Sequence, residues 1–175
     1  TLSNLKTNAR AGKGKPFVIE ADEYDRMFLG LKPFYAIVTN IEHDHPDCYP
    51  TFEDMYAAFE TFISLIPSDG TLIACMDDAS TNTLLNSARK AGKIVVAYGV
   101  QGEQTLNAPQ FTLARNLKPN TRGGFDFEAV SNLFPETESI FVSLQVPGKH
   151  NVQNSLAALT VAALLGLPPK KAAEA

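Results

Sequence analysis

Acidic residues follow the first apolar run of the sequence. The run Phe17–Ile19 continues into EADEYD, which covers Glu20 to Asp25. A carboxylate at the end of a buried strand can hold a magnesium ion whose other ligands are water and phosphate oxygens. Most acidic clusters are solvated surface, but the position directly after an apolar run favours a metal or phosphate site here.

A second polar loop follows the next apolar run, Tyr35–Val38. Its sequence HDHPD, from His43 to Asp47, places two imidazoles and two carboxylates within five residues. This density of ligands after a strand indicates a metal or phosphate site. Ligands of open parallel sheets collect at the carboxyl ends of the strands, so both loops are expected to face one crevice.

A zinc hydrolase is an alternative interpretation of the same loop. Zinc hydrolases of the metallo-β-lactamase type carry H-x-H-x-D-H, whereas this loop reads HDHPDC and has no later histidine in the required place. A three-histidine zinc centre would have to combine His43 and His45 with His150, which is the other histidine of the sequence.

A polar segment opens the last long helical pattern. PGKHNVQNSLAA, from Pro147 to Ala158, carries His150, Asn151 and Asn154. Asn is a good helix cap, so Asn151 could have only that role. However, the two Asn side chains are three residues apart and share one helical face, and carboxamides can both donate to and accept from the edge of a purine.

The polar loop NARAGKG, Asn8 to Gly14, lies near the start of the sequence. It contains Arg10 and Lys13, and Lys15 follows it. Two interpretations remain open, a solvated loop and a loop that contacts an anion.

The elements that position these residues alternate between strand and helix. The helix over 52–66 is the clearest, because its apolar residues recur at helical spacing, Thr51 and Asp54 form a start signal and Pro67 ends it. Continuous apolar runs indicate strands covered on both faces. The sequence thus predicts an α/β fold with a mostly parallel sheet flanked by helices over about 16–100. Strands are expected at 17–19, 35–39, 71–75 and 94–98, and helices at 52–66 and 80–91.

The pattern changes after Gly102. Alternating apolar residues over about 110–146, with a turn at Gly123-Gly124, predict a small antiparallel β meander. A helix over about 151–165 then ends at Gly166. The last residues, 170–175, look like an interrupted helix.

Composition excludes several classes of protein. The 175 residues suit one domain, and 45% apolar with 19% charged residues is a globular mixture. A net charge of -4 argues against nucleic-acid binding. Cys48 and Cys75 are interpreted as free thiols, as expected for a protein in a reducing compartment. With neither a membrane span nor a signal peptide in the sequence, we expect a soluble, cytoplasmic protein without a membrane partner.

Three separated motifs together resemble the central, ATP-binding domain of the Mur ligase family. They are EADE after one strand, TNIEHDH after the next, and GKHNVQNSLAA at the start of the late helix, and they occur in that order. The resemblance spans nearly the whole chain. It implies that residues 1–175 are part of a P-loop-type Mur ligase middle domain.

The resemblance also implies roles for individual residues. Glu20 matches the glutamate that coordinates magnesium between the β- and γ-phosphates of ATP, and His45 matches the histidine of a second magnesium. Asn151 and Asn154 match paired asparagines at the ATP site, where they would read the adenine. Further candidates are His150 beside these asparagines, Asn40 and Asp44 in the strand-end loop, and Asn8 and Arg10 at the UDP-muramoyl substrate.

The residues of these motifs are most similar to those of the family member that joins L-alanine to UDP-N-acetylmuramate. That resemblance implies ATP and Mg²⁺ as cofactors, an acyl-phosphate intermediate and a role in peptidoglycan precursor synthesis. Three alternatives remain: a murein-peptide recycling ligase of the same family, a non-catalytic nucleotide-binding module, and a metal-dependent hydrolase.

One family motif has no counterpart here. The family's phosphate loop, G-x-x-G-K-T/S, does not occur in the sequence. We therefore expect a fragment whose partners include the N- and C-terminal domains of the same polypeptide, and which is inactive alone.

Overall fold

The sheet of the computed structural model has six strands within the described residues, which are 7–100, 109–134 and 139–175. Its spatial order equals its order along the chain. The first four strands are parallel to one another, and the last two pairings are antiparallel. The strands are β1 (Tyr35–Val38), β2 (Thr71–Cys75), β3 (Ile94–Val100), β4 (Phe111–Pro119), β5 (Phe125–Ser131) and β6 (Ile140–Ser143).

Helices cover both faces of the parallel part, as its continuous apolar strands require. Alternate residues of each strand point to opposite faces. Leu72 and Ala74 of β2 join one core cluster with α1 (Phe52–Ser64) and α2 (Ala79–Lys90). Ile73 and Cys75 join the other cluster with α3 (Lys149–Leu164), and the short α4 (Pro169–Ala173) packs beside α3. This mixed α/β sheet confirms the predicted fold class.

Helix starts in the parallel part are fixed by local hydrogen bonds. The Thr51 side chain accepts from the backbone amide of Asp54, and the Asp54 carboxylate accepts from the amide of Thr51. This is the predicted capping box. Asp78 caps α2 in the simpler way, since its carboxylate accepts from the Thr81 amide at 2.8 Å.

The predicted strand at 17–19 is wrong. Phe17 and Val18 are each 84% exposed and Ile19 is 54% exposed, and the segment forms no strand. An apolar run becomes a strand only when another strand takes up its backbone hydrogen bonds. Within the described residues, no strand pairs with this segment, and β1 is the edge of the sheet.

The remaining boundaries differ from the predictions in smaller ways. The predicted antiparallel meander is confirmed as β4–β6, and it continues the main sheet because β4 pairs with β3 in parallel. The late helix starts at Lys149 rather than near 151, after Gly148 at a φ of 98°. The predicted interrupted helix is α4. Among the described residues, no helix is long and apolar enough to span a membrane.

Candidate active site

The carboxyl ends of β1, β2 and β3 meet at one edge of the sheet, because these strands are parallel. Three polar segments lie there. The loop 39–51 follows β1, Asp77 follows β2 after one intervening residue, and the N-terminal part of α3 reaches Asp77 through Gln153. This carboxyl edge is where ligands of open α/β sheets bind, and the structure thus assembles most of the motif residues on it.

The acidic segment and the histidine loop contact each other, as expected, although the acidic segment does not follow a strand of the sheet. The His45 Nε2 atom lies 3.1 Å from the Glu23 Oε1 atom. The Tyr24 hydroxyl donates to Asp47 at 3.1 Å, and its ring meets the His45 ring edge to face with centroids 5.1 Å apart. The carboxylate that reaches His45 is therefore Glu23 and not Glu20.

Left-handed backbone conformations occur on both sides of this contact. Asp25, Arg26 and His45 have φ values of 51°, 57° and 54°. Each such residue costs on the order of 1–3 kcal/mol and persists only where the surrounding structure requires it. At His45 the requirement is visible, because its amide donates to the Asp44 side chain at 2.7 Å and its carbonyl accepts from the Tyr49 amide at 2.8 Å.

Tyr49 connects the histidine loop to the acidic segment. Its side chain has no exposed surface, and its hydroxyl donates to the Glu23 carbonyl at 2.6 Å. The Arg26 guanidinium lies 5.1 Å from the centre of its ring. Burial raises the pKa of Tyr49, while the nearby Arg26 lowers it by a smaller amount. The phenol is therefore a neutral hydrogen-bond donor at neutral pH.

The zinc-centre alternative is not supported by the geometry. The Nε2 atom of His43 lies 2.8 Å from the Tyr49 carbonyl, so this ring is held by the loop itself. In the part of the chain that the structure describes, no group of three or more His, Cys, Asp or Glu side chains is arranged to hold a metal ion. A site made of His43, His45 and His150 is thus not formed.

The other predicted residues of the loops are exposed. Glu20 has no hydrogen-bond or ion-pair partner among the described residues. The Asn40 side chain accepts from the Thr39 hydroxyl at 3.0 Å, and Asp44 accepts from the His45 amide. Asn8 and Arg10 are exposed, and within the described ranges their side chains have no polar partner. The structure therefore does not bring Asn8 or Arg10 into the cluster around His45.

The first two turns of α3 present the asparagines near the same edge. Gly148 is the N-cap, so Asn151 is not the cap, and its Nδ2 atom donates to the Pro147 carbonyl at 2.6 Å. Asn154 is exposed and lacks a side-chain partner among the described residues. His150 lies over Gly148, where a Cβ atom would come within 2.4 Å of the imidazole.

These side chains have the chemistry that magnesium and adenine require. Magnesium takes one or two protein carboxylates and otherwise water and phosphate oxygens, and the partner-free Glu20 offers such oxygens. The Asn154 carboxamide is free to donate and accept, and Asn151 keeps a free oxygen. His45 fits less directly, since its Nε2 atom is engaged by Glu23.

Sequence reasoning missed two residues of this edge. Asp77 receives a hydrogen bond from Gln153 at 2.7 Å and another from the Val100 amide at 3.0 Å. It comes two residues after β2, so the rule that selected Glu20 could have selected it. No sequence pattern indicated Gln153, because its partner Asp77 is far away in the sequence.

Comparisons with known proteins place the chain in a family. The model of the Mur ligase middle domain matches residues 2–162. The UDP-N-acetylmuramate–L-alanine ligase of Renibacterium salmoninarum is 39% identical over the whole chain, and that of an Arthrobacter species is 38% identical over 99% of it. The chain spans 35% and 34% of these two relatives, about a third of their length.

A solved structure shares the fold. The UDP-N-acetylmuramate:L-alanyl-gamma-D-glutamyl-meso-diaminopimelate ligase of Neisseria meningitides matches with a TM-score of 0.70 and 24% identity, over 90% of this chain and 46% of that one. Motifs, fold and sequence similarity agree, and the chain belongs to the Mur ligase family, in which it corresponds to the middle domain.

Proposed function

We propose that the chain is the ATP-binding part of a ligase that joins L-alanine to UDP-N-acetylmuramate in peptidoglycan precursor synthesis. The observation that carries this proposal is the 35–39% identity over nearly the whole chain to proteins named for that reaction. The assembly of motif residues on one carboxyl edge supports it, since ligands of such sheets bind there. We also propose that the ligase acts in the cytoplasm.

The reaction has two steps in this proposal. A carboxylate oxygen of the muramoyl group attacks the γ-phosphorus of ATP, the bond to ADP breaks, and an acyl phosphate forms. The amine nitrogen of L-alanine then attacks the acyl carbon and loses a proton, and inorganic phosphate leaves from the tetrahedral intermediate. Such transfers depend mainly on positioning and on neutralising charge.

Glu20 and His45 are the proposed magnesium ligands. Magnesium would supply positive charge against the phosphate oxygens as negative charge develops on them. Glu20 is available without change, because its carboxylate has no other partner among the described residues. Ligation through Nε2 would require His45 to leave Glu23, whose Oε1 atom is 3.1 Å from that nitrogen.

Asn151 and Asn154 are the proposed adenine contacts, with His150 and Asn40 as further nucleotide contacts. Both asparagines lie near the N-terminus of α3, where Asn151 is half-buried and Asn154 is exposed. Their free carboxamide atoms match the donors and acceptors of a purine edge. Asn8 and Arg10 remain proposed contacts of the UDP-muramoyl group, for which their exposure leaves them accessible.

A murein-peptide recycling ligase is the second candidate, because the Neisseria meningitides neighbour is named for a tripeptide substrate and shares the fold. Its 24% identity is well below the 39% found for the Renibacterium salmoninarum enzyme. The two candidates differ in the attacking amine, which belongs to L-alanine in one and to L-alanyl-γ-D-glutamyl-meso-diaminopimelate in the other.

The test uses a complete ligase, in which this chain is joined to the segments that its curated relatives have and it lacks. Phosphate release should require ATP, magnesium, UDP-N-acetylmuramate and L-alanine together. The tripeptide replaces L-alanine in a parallel assay, and release with the tripeptide alone favours the recycling ligase. ATP binding without release in either assay favours a non-catalytic module.

Variants of this ligase test the metal residues. Glu20→Gln and His45→Ala should each lower kcat by on the order of a hundredfold or more, because a ligand at the reacting phosphate acts in the transition state. Glu42→Gln is the matched control, since Glu42 is an exposed carboxylate of the same loop without a partner among the described residues. Near-normal turnover of both test variants would refute the assignment.

A further inference from the structure

The Asp77 carboxylate joins three elements at the carboxyl edge. Its Oδ2 atom accepts hydrogen bonds from the Val100 amide at the end of β3 and from Gln153 of α3. The Lys149 ammonium lies 3.7 Å from the same oxygen. The Asp77 side chain is 13% exposed, whereas the Lys149 side chain is 58% exposed. The contact with Gln153 is therefore better shielded from water than the ion pair.

The Asp77 carboxylate packs closely against the backbone of β3. A Cβ atom on the neighbouring Gly99 would lie 2.4 Å from the Asp77 Oδ1 atom, so only glycine leaves room for this carboxylate. The preceding residue is also fixed, because the Met76 amide donates to the Tyr98 carbonyl at 2.8 Å. The carboxylate is thus a rigid acceptor provided by β2 and β3.

Helix α3 has a separate source of binding energy. Val152, Leu156 and Leu159 are buried against the sheet. Apolar burial of this kind is non-directional, so it holds the helix on the sheet but does not set its rotation closely. A hydrogen bond to a charged acceptor is directional and short. The bond from Gln153 to Asp77 therefore defines how the first two turns of α3 are oriented.

Gln153 lies between the two asparagines in sequence. Asn154 is its next neighbour, and Asn151 is two residues before it, with Lys149 at the first helical position. A rotation of this part of α3 would move both carboxamides together, because the helix backbone is rigid over such a short span. The orientation of the asparagines thus depends on the acceptor that holds Gln153.

We propose that Asp77 is a positioning residue: it holds Gln153 and thereby orients Asn151 and Asn154 toward the edge of the adenine. The inference rests on the proposed function, because it needs ATP as the ligand. Asp77 itself need not touch the nucleotide.

The experiment compares two adjacent carboxylates in the complete ligase. Asp77→Ala removes the acceptor of Gln153, whereas Asp78→Ala removes the N-cap of α2. Each change is expected to lower stability, but only Asp77 is connected to α3. The readouts are KM for ATP, kcat, the ratio of kcat/KM for ATP to that for GTP, and hydrogen exchange of the amides of residues 151–154.

Asp77→Ala should raise KM for ATP about tenfold, the size expected when a hydrogen bond to a charged group is lost. It should lower the preference for ATP over GTP, change kcat less than KM, and speed exchange at 151–154. Asp77→Asn keeps an oxygen acceptor and should restore most of these properties. Asp78→Ala should leave the nucleotide preference unchanged.

Gln153→Met provides a second variant that keeps about the length of the side chain and removes the carboxamide that donates to Asp77. It should reproduce the loss of ATP preference even if Asp77→Ala does not fold. Unchanged preference in Gln153→Met, or equal loss in Asp78→Ala, overturns the inference. If the unaltered ligase binds no ATP, the proposed function fails, and faster exchange in Asp77→Ala would still show that Asp77 orders α3.

Discussion

At the end of β1, side chains from two loops hold one another, whereas at the ends of β2 and β3 a helix is held against the sheet. The first region, here called the metal region after the magnesium ligands proposed in it, comprises residues 20–26 and 39–49. It relies on polar contacts of partly exposed side chains and on three left-handed residues. The second, the adenine region, comprises residues 76–78, 98–100 and 148–154, and it is built on buried strands and α3.

The two regions differ in the interactions that make them rigid. In the adenine region, the position of each polar group follows from packed secondary structure, so it needs no ligand to form. In the metal region, the position of His45 depends on Glu23 and Tyr49, and the strained backbone opposes it. We therefore expect the metal region to rearrange when a ligand binds, and the adenine region to stay nearly unchanged.

The largest expected effect is on the adenine region. Gly99→Ala should lower the free energy of unfolding by about 1–3 kcal/mol, because the new Cβ atom would lie 2.4 Å from the Asp77 carboxylate. Gly30→Ala is the matched control next to the metal region. Nothing lies within 4 Å of a Cβ atom there, so little change is expected. Urea denaturation of both variants measures this, and equal stability would show that Asp77 moves freely.

A second prediction concerns alkaline pH. Burial raises the pKa of Tyr98, and nearby Cys75 and Asp77 add to it. The unfolded phenol ionises near pH 10, so the folded state loses stability as the pH rises above this value, by about 1.4 kcal/mol at pH 11. Tyr98→Phe should remove this part of the alkaline loss. Denaturation at pH 8 and pH 11 measures it, and an unchanged pH dependence would contradict the prediction.

The elements of the packed regions were predictable from sequence. The helix at 52–66 and the strand at 71–75 have apolar patterns that match their burial, so the prediction and α1 and β2 agree closely. The pattern at 17–19 was similar but misleading, because apolar character indicates burial and does not supply a pairing partner. Strand prediction thus failed where the outcome depends on residues that lie elsewhere in the chain.

The candidate site was predictable in position but not in detail. The two loops do lie together, as expected, but the strand-end argument holds only for the histidine loop after β1, because the acidic segment follows no strand. No local pattern indicates that Glu23, and not Glu20, reaches His45, or that the backbone is left-handed at Asp25 and Arg26. Gln153 was missed because its partner Asp77 lies 76 residues away, whereas the position of Asp77 just after β2 could have selected it.

A third prediction compares the buried tyrosines of the two regions at neutral pH. The Tyr49 hydroxyl donates to the backbone carbonyl of Glu23 at 2.6 Å, whereas the Tyr98 hydroxyl donates to the backbone carbonyl of Val38 at 3.4 Å. Tyr49→Phe should cost about 1 kcal/mol and Tyr98→Phe clearly less, because a hydrogen bond weakens with length. Urea denaturation at pH 7 separates the two. A larger loss in Tyr98→Phe would mean that the metal region is not held by Tyr49.

The smallest expected effect is a gain in stability. Asp25 has a φ of 51°, is exposed, and has no side-chain hydrogen bond within the described residues. Glycine adopts this conformation without steric cost, so Asp25→Gly should stabilise the protein by about 0.5–1 kcal/mol despite its greater freedom when unfolded. Asp25→Ala is the control and should destabilise it, since alanine tolerates the left-handed region less well than aspartate does. Thermal denaturation of both variants decides between them. A loss of stability in Asp25→Gly would mean that the metal region is not strained at this residue, and that its contacts alone explain why it differs from the adenine region.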